Sequence, residues 1–272
     1  MKTQPIFRSL ITLVLLLGVL WSCKKDDPAP ADTCKVSAID RGNGNKHSYT
    51  YDANGKIATM GREFDGSGSG KISKFVYTFT YDAAGLLTKS VWTLDGKADG
   101  SETYVYTSGK ISKVSFIYVS GTKGTNNIKY NAAGQMTEFT IENGTADDGK
   151  QYFEYDASGI MVKSGYSDLK NYKYFEYVVK AVGVAKSPEQ LLANYGLPYD
   201  VLVGNPWTTN IGGEGSTFEI FYDDGSGKLV SDSTGKTTAV KTNTKGYITE
   251  ISDLDNSTKT TTTNKFTLID CN

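Results

Sequence analysis

Apolar and polar positions alternate with a period of two in segment after segment of this chain. In Phe75-Val76-Tyr77-Thr78-Phe79-Thr80-Tyr81, aromatic rings take every second place and small β-formers fill the gaps. Phe116 and Tyr118, Tyr172 and Tyr174, and Phe218, Ile220 and Tyr222 keep the same step. Successive side chains of a strand point to opposite faces, so this spacing predicts strands with one aromatic face. The other face carries Thr, Lys and Val. A wall of strands that spans lipid needs a continuous apolar outer band. A face with Lys74, Thr78 and Thr80 is too polar for that. The pattern predicts an all-β, antiparallel sheet standing in water, rolled up or closed as a barrel.

A repeat punctuates the strands. Tyr51-Asp52-Ala53-Asn54-Gly55, Tyr81-Asp82-Ala83-Ala84-Gly85, Tyr130-Asn131-Ala132-Ala133-Gly134 and Tyr155-Asp156-Ala157-Ser158-Gly159 share one design, and Tyr106-Thr107-Ser108-Gly109 is one residue shorter. Tyr222-Asp223-Asp224-Gly225-Ser226-Gly227 and Thr242-Asn243-Thr244-Lys245-Gly246 read as degenerate copies. Each part has a mechanical role: Tyr ends a strand, Asp or Asn bonds backbone groups ahead of it, and Gly takes the positive φ that closes the hairpin. An aliphatic side chain stands two places past the glycine in Ile57, Leu87, Ile111, Met136, Met161, Leu229 and Ile248. Five places past it an apolar residue recurs in Met60, Val114, Phe139 and Ile251. A step of three breaks the period of two, which predicts a β-bulge just after each turn.

Over roughly residues 45–255 the pattern resembles the YD repeats of bacterial Rhs-type and related wall-associated proteins. It more closely resembles the Bacteroidota lipoproteins of unknown function described as having a porin-like fold. The resemblance implies a wide, curved, antiparallel sheet built hairpin by hairpin. It implies almost nothing about activity.

Residues 181–213 interrupt the repeat. Ser187-Pro188-Glu189-Gln190 has the form of a capping box with Pro in the first helical position, and Gly196 and Pro198 supply a stop. One short helix is predicted over 188–195, within an insert that covers or plugs a barrel mouth.

Residues 1–22 read as a targeting segment. Lys2 and Arg8 give a positive start, and Ile11 to Leu20 form an apolar run too short to span a bilayer. Leu20-Trp21-Ser22 before Cys23 resembles the bacterial lipobox, which implies cleavage before Cys23 and lipid on it. Lys24-Lys25-Asp26-Asp27 then resembles the surface-export signal of Bacteroidota lipoproteins, and Pro28, Ala29, Pro30 and Ala31 make residues 23–33 a tether. The expected organisation is a signal peptide over 1–22, a lipidated tether over 23–33 and a single hairpin-repeat domain over 34–272. The expected location is the outer membrane, with the cell surface favoured over the periplasmic face.

Composition narrows the partners. Without residues 1–22, 27 of the 29 basic side chains remain against 30 acidic ones. Nothing in that balance favours nucleic acid. With Cys23 committed to lipid, Cys34 and Cys271 remain at the two ends of the domain, and a disulfide between them is predicted.

The search for chemistry finds little. His47 is the single histidine, so neither a histidine metal cluster nor a relay is available, and it reads as a surface residue of a strand. No cofactor and no catalytic residue is expected. Asp147-Asp148 and Asp223-Asp224 are paired carboxylates in turns, weak candidates for Ca2+. Trp92 and Trp207 are candidates for stacking on sugar rings, set against the commoner fate of core packing. The expected function is a non-enzymatic binding or structural module of the cell envelope, membrane-held through Cys23 and accessory to glycan capture. A carboxylate-dependent envelope hydrolase and an adhesion or assembly module that pairs with another envelope protein are the rival readings.

Overall fold

The computed structural model describes residues 34–271, apart from 43, 66–69, 143, 145–147, 171, 181–182, 184–185, 189–190 and 193–212. The expectations for residues 1–33, including Cys23, and those for Asp147 and Trp207, lie outside the described residues. So does most of the 188–195 helix, of which Leu191 and Leu192 are helical.

The described residues form a closed antiparallel barrel of sixteen strands in simple sequence order. They are β1 (Lys35–Asp40), β2 (Lys46–Tyr51), β3 (Ile57–Phe64), β4 (Ser73–Tyr81), β5 (Leu87–Leu94), β6 (Lys97–Thr107), β7 (Lys110–Tyr118) and β8 (Lys123–Tyr130). The second half comprises β9 (Met136–Glu142), β10 (Gly149–Tyr155), β11 (Met161–Asp168), β12 (Lys173–Lys180), β13 (Thr217–Asp223), β14 (Leu229–Thr242), β15 (Ile248–Asp255) and β16 (Thr261–Ile269). β1 pairs with β16, and the predicted Cys34–Cys271 disulfide ties this seam, with its Cα atoms 4.2 Å apart. Lys35 Nζ reaches Asp270 Oδ2 at 3.0 Å beside it.

Each repeat turn works as its residues require. Asp52 Oδ1 accepts hydrogen bonds from the backbone N–H groups of Asn54 and Lys56, at 2.9 and 2.8 Å. Asp156 and Asn243 make the same paired bonds, and Asp82 and Asn131 the longer-range one. Gly55 closes its loop at φ +76°, a conformation that a Cβ disfavours. The predicted bulges are present: register shifts at Thr50/Tyr51, Thr80/Tyr81, Val105/Tyr106, Lys129/Tyr130, Glu154/Tyr155 and Lys241/Thr242. The bulge returns both aliphatic positions to one face, so Ile57 and Met60 are both buried.

The tyrosines add what the pattern does not show. Tyr51, Tyr81, Tyr106, Tyr130 and Tyr155 donate their phenols to the carbonyls of Val36, Ile57, Leu87, Ile111 and Met136, at 2.7 to 3.1 Å. Each ring thus latches onto the hairpin before it. Lysines lie over these rings as well, Lys35 over Tyr51, Lys56 over Tyr81 and Lys110 over Tyr130, at 5.1 to 5.2 Å.

At the repeat-turn mouth the inward side chains form one contiguous apolar cluster. It takes Val36, Tyr49, Ile57, Leu87, Val114, Phe139 and Ile248 from around the wall, and Leu191 and Leu192 from the insert. Lys186 bridges to Tyr247, which fixes the described part of the insert at the same mouth. One expectation is corrected. The Tyr222-Asp223 turn joins β13 to β14 and lies at the opposite mouth, because the insert takes the place of a repeat turn between β12 and β13. Leu229 accordingly does not join the buried cluster.

Candidate functional site

Residues in register across neighbouring strands share a face. Tyr49 faces Met60 and both are buried, so their face is the inner one. On that face the register adds His47 opposite Arg62, Arg62 opposite Phe75, and Tyr77 opposite both Met60 and Trp92. The aromatic face of the strands therefore lines the lumen. At the mouth away from the repeat turns, the rings form a continuous ladder across four strands. Phe64 stacks on Phe75 at 5.6 Å, Phe75 meets Tyr77 at 6.3 Å and Tyr77 meets Trp92 at 5.8 Å. Tyr118 stands edge-on to Trp92 at 5.4 Å and to Phe116 at 5.9 Å. Across the wall, Tyr177 stacks on Phe218 and Phe175 meets Tyr222, each at 5.4 Å.

Trp92 belongs to this ladder but is 4% exposed. Its Nε1 donates to Asp99 Oδ2 at 2.9 Å, and its ring covers Gly100, its register partner on β6. Gly165 under Tyr152 and Gly235 under Phe218 repeat this pairing of a glycine with a cross-strand ring. Phe64, Phe75, Tyr77 and Phe116 keep more accessible surface than Trp92, and Tyr118 is exposed.

The ladder starts in a polar corner. The Arg62 guanidinium lies 5.1 Å from the Phe64 ring. His47, expected at the surface, is instead 2% exposed and faces the lumen, because the register puts it level with Ile39 and Arg62. Burial and then the positive charges of Arg41 and Arg62 push its pKa down to about 3, so the imidazole is neutral at pH 7. His47 Nδ1, Asn45 Oδ1 and Arg62 Nε are buried and have no hydrogen-bond partner.

A second inward cluster sits on β5 and β6. Glu102 accepts hydrogen bonds from Tyr104 at 2.5 Å and from Ser90 at 3.0 Å, and burial raises its pKa. Ser90 stands five places past Gly85, where other repeats carry an apolar residue. That departure was the available signal. Asp253 on β15 is also raised by burial, and Thr237 donates to it at 2.8 Å.

The outer face is the reverse. Register partners Lys46 and Asp40, Lys74 and Glu63, Lys129 and Glu138, Lys163 and Glu154, and Lys241 and Glu250 form ion pairs at 2.7 to 3.5 Å. These pairs lie near the strand ends, and between them the outward register carries Thr59, Thr78, Ser101, Thr103 and Ser115 in place of the continuous apolar band of a lipid-facing wall. Among the described residues no helix is long and apolar enough to cross a membrane. A shallow outer groove of about 460 Å³ lies over β6, β7 and β8 between Thr103, Ile117 and Lys123.

The acidic turns are occupied by their own backbone. Asp223 accepts from Gly227 N and from the Tyr172 phenol, Asp224 from Ser226, and Asp148 from Gly144 N. Among the described residues no group of three His, Cys, Asp or Glu side chains could hold a metal ion.

Comparison with solved structures finds the same architecture. A porin-like protein from Bacteroides uniformis superposes with a TM-score of 0.55 at 13% identity, covering 86% of this chain and 97% of that one. The fold is porin-like. A porin-like protein from Bacteroides vulgatus is matched over 86% of this chain and 98% of that one, at 11% identity and a TM-score of 0.39. No protein-family model matches the chain, and no curated protein is similar to it.

Proposed function

We propose that this protein is a cell-envelope lipoprotein, held through lipid on Cys23 at the outer surface, whose barrel captures glycans without chemically altering them. One observation carries the reading: the barrel's polarity is the inverse of a porin's, with ion-paired lysines outside and aromatic rings inside. Such a barrel stands in water and needs a separate anchor, which the segment around Cys23 supplies. Aromatic faces receive the C–H faces of sugars, and the rings at the mouth away from the insert offer them. The porin-like likeness to a Bacteroides protein accords with an envelope setting.

The tests separate anchor from activity. Fatty-acid labelling and surface proteolysis of intact cells should mark the native protein, and Cys23→Ser should abolish the labelling. A glycan array with the purified chain should return binders whose reducing ends remain unchanged. Cleaved glycan would remove the non-enzymatic reading and favour the carboxylate hydrolase, for which Glu102 and Asp253 are the inward acids with raised pKa.

A further inference from the structure

We infer that Arg62, with His47 and Asn45 beside it, forms a subsite for the carboxylate of an acidic sugar whose ring stacks along Phe64 and Phe75. The inference rests on the glycan reading of the lumen and adds the charge of the ligand.

Arg62 is the first argument. Its Nε is buried, and no hydrogen bond or ion pair reaches the guanidinium from the described residues. A guanidinium holds five donors in a fork that matches a carboxylate, and a buried donor left unmade costs about 1–3 kcal/mol. The Phe64 ring lies 5.1 Å from its guanidinium, and that ring begins the ladder.

His47 is the second. It is 2% exposed, its Nδ1 lacks a partner, and the charges that act on it, Arg41 and Arg62, are both positive. Arg41 and Arg62 thus bring positive charge to bear on this corner. The neutral imidazole offers one N–H to an anion, and Asn45, on the same inward register, offers its amide donors. An oxyanion placed there would take the unmade Arg62 Nε–H and an imidazole N–H together; the orphaned Asn45 Oδ1 is an acceptor and is left to a sugar hydroxyl. Planar geometry favours a carboxylate, and the adjoining rings favour one carried on a sugar.

The only histidine of the chain makes the test specific, because the imidazole NMR signals then come from one residue. Trigalacturonate, its methyl ester and inorganic phosphate are titrated into the full protein, with affinity measured by calorimetry. The acid should bind and shift the His47 signal. Arg62→Gln should weaken acid binding by at least about tenfold, the loss of one charge-assisted bond, and leave the ester unaffected. Arg62→Lys keeps the charge without the fork; it should lose part of the affinity and serves where the Gln variant does not fold. Lys113→Gln, on the outer face, should change nothing.

Equal affinity for acid and ester with a still His47 would overturn the subsite while the glycan reading stood. A larger His47 shift with phosphate than with the acid would overturn the sugar assignment. Failure of both sugars would overturn the inference alone, since the glycan reading is judged on the wider array.

Discussion

The phenol of Tyr81 donates a hydrogen bond to the carbonyl oxygen of Ile57 at 2.8 Å, across 24 residues of chain. Ile57 itself is fully buried. Four more repeat tyrosines make the equivalent bond, so successive hairpins are joined by side chains as well as by the strand ladder. Tyr81→Phe keeps the ring and leaves that carbonyl one bond short. It should destabilise the barrel by about 1 kcal/mol, and Tyr130→Phe should cost about the same. Urea titration of the two single variants and the double measures this. The costs should nearly add, because the two tyrosines bond different hairpins.

The seam between β1 and β16 closes the barrel, and Cys34–Cys271 spans 237 residues of sequence. Long loops lose the most unfolded-state entropy on cross-linking. Cys271→Ser should therefore lower stability by roughly 2–5 kcal/mol. Amide exchange should quicken first in β1 and β16, while the β6–β7 hairpin keeps its protection.

Glu102 makes stability depend on pH. Burial raises its folded-state pKa above the ordinary 4.5, against the lowering effect of bonds from Tyr104 and Ser90. The folded state then holds a proton that the unfolded chain has released. This contribution is fully present below pH 4.5 and is lost as pH rises from there through the folded-state pKa. Asp253, also raised by burial, acts in the same sense from 3.8 upward. Glu102→Gln should match the native protein at the acid end and gain on it as pH rises. Urea midpoints measured between pH 4 and pH 8 check the sign; a gap that widened toward acid would contradict it.

Gly100 has an ordinary backbone but no room for a side chain. A Cβ there would meet the Trp92 ring and the carbonyl oxygen of Ile117, the latter at 2.7 Å. A backbone atom cannot swing aside, so Gly100→Ala should cost about 1–3 kcal/mol. The indole should be displaced with it, and a change in tryptophan emission should accompany the lower melting temperature.

Much of this barrel was legible locally. The period of two set the strands and their aromatic face. Asp or Asn with a following glycine set the turns, because an Asx side chain bonds backbone groups only a few residues ahead. The step of three after each glycine set the bulges. Even the disulfide followed from counting cysteines, once Cys23 was assigned to lipid.

What the sequence could not determine depends on which strands end up adjacent. The Tyr222-Asp223 turn carries repeat chemistry, yet it joins β13 to β14 at the far mouth, because the insert holds the β12–β13 connection where the next repeat turn would fall. His47 reads as an exposed strand residue until the pairing of β2 with β3 turns it inward against Arg62. Gly100 and Trp92 stand apart in sequence, and only the β5–β6 register lays the ring on the glycine. Turn and strand preferences are local energies, written residue by residue. The seam, the inward corner and the aromatic ladder are products of long-range register, and closure of the sheet decided them.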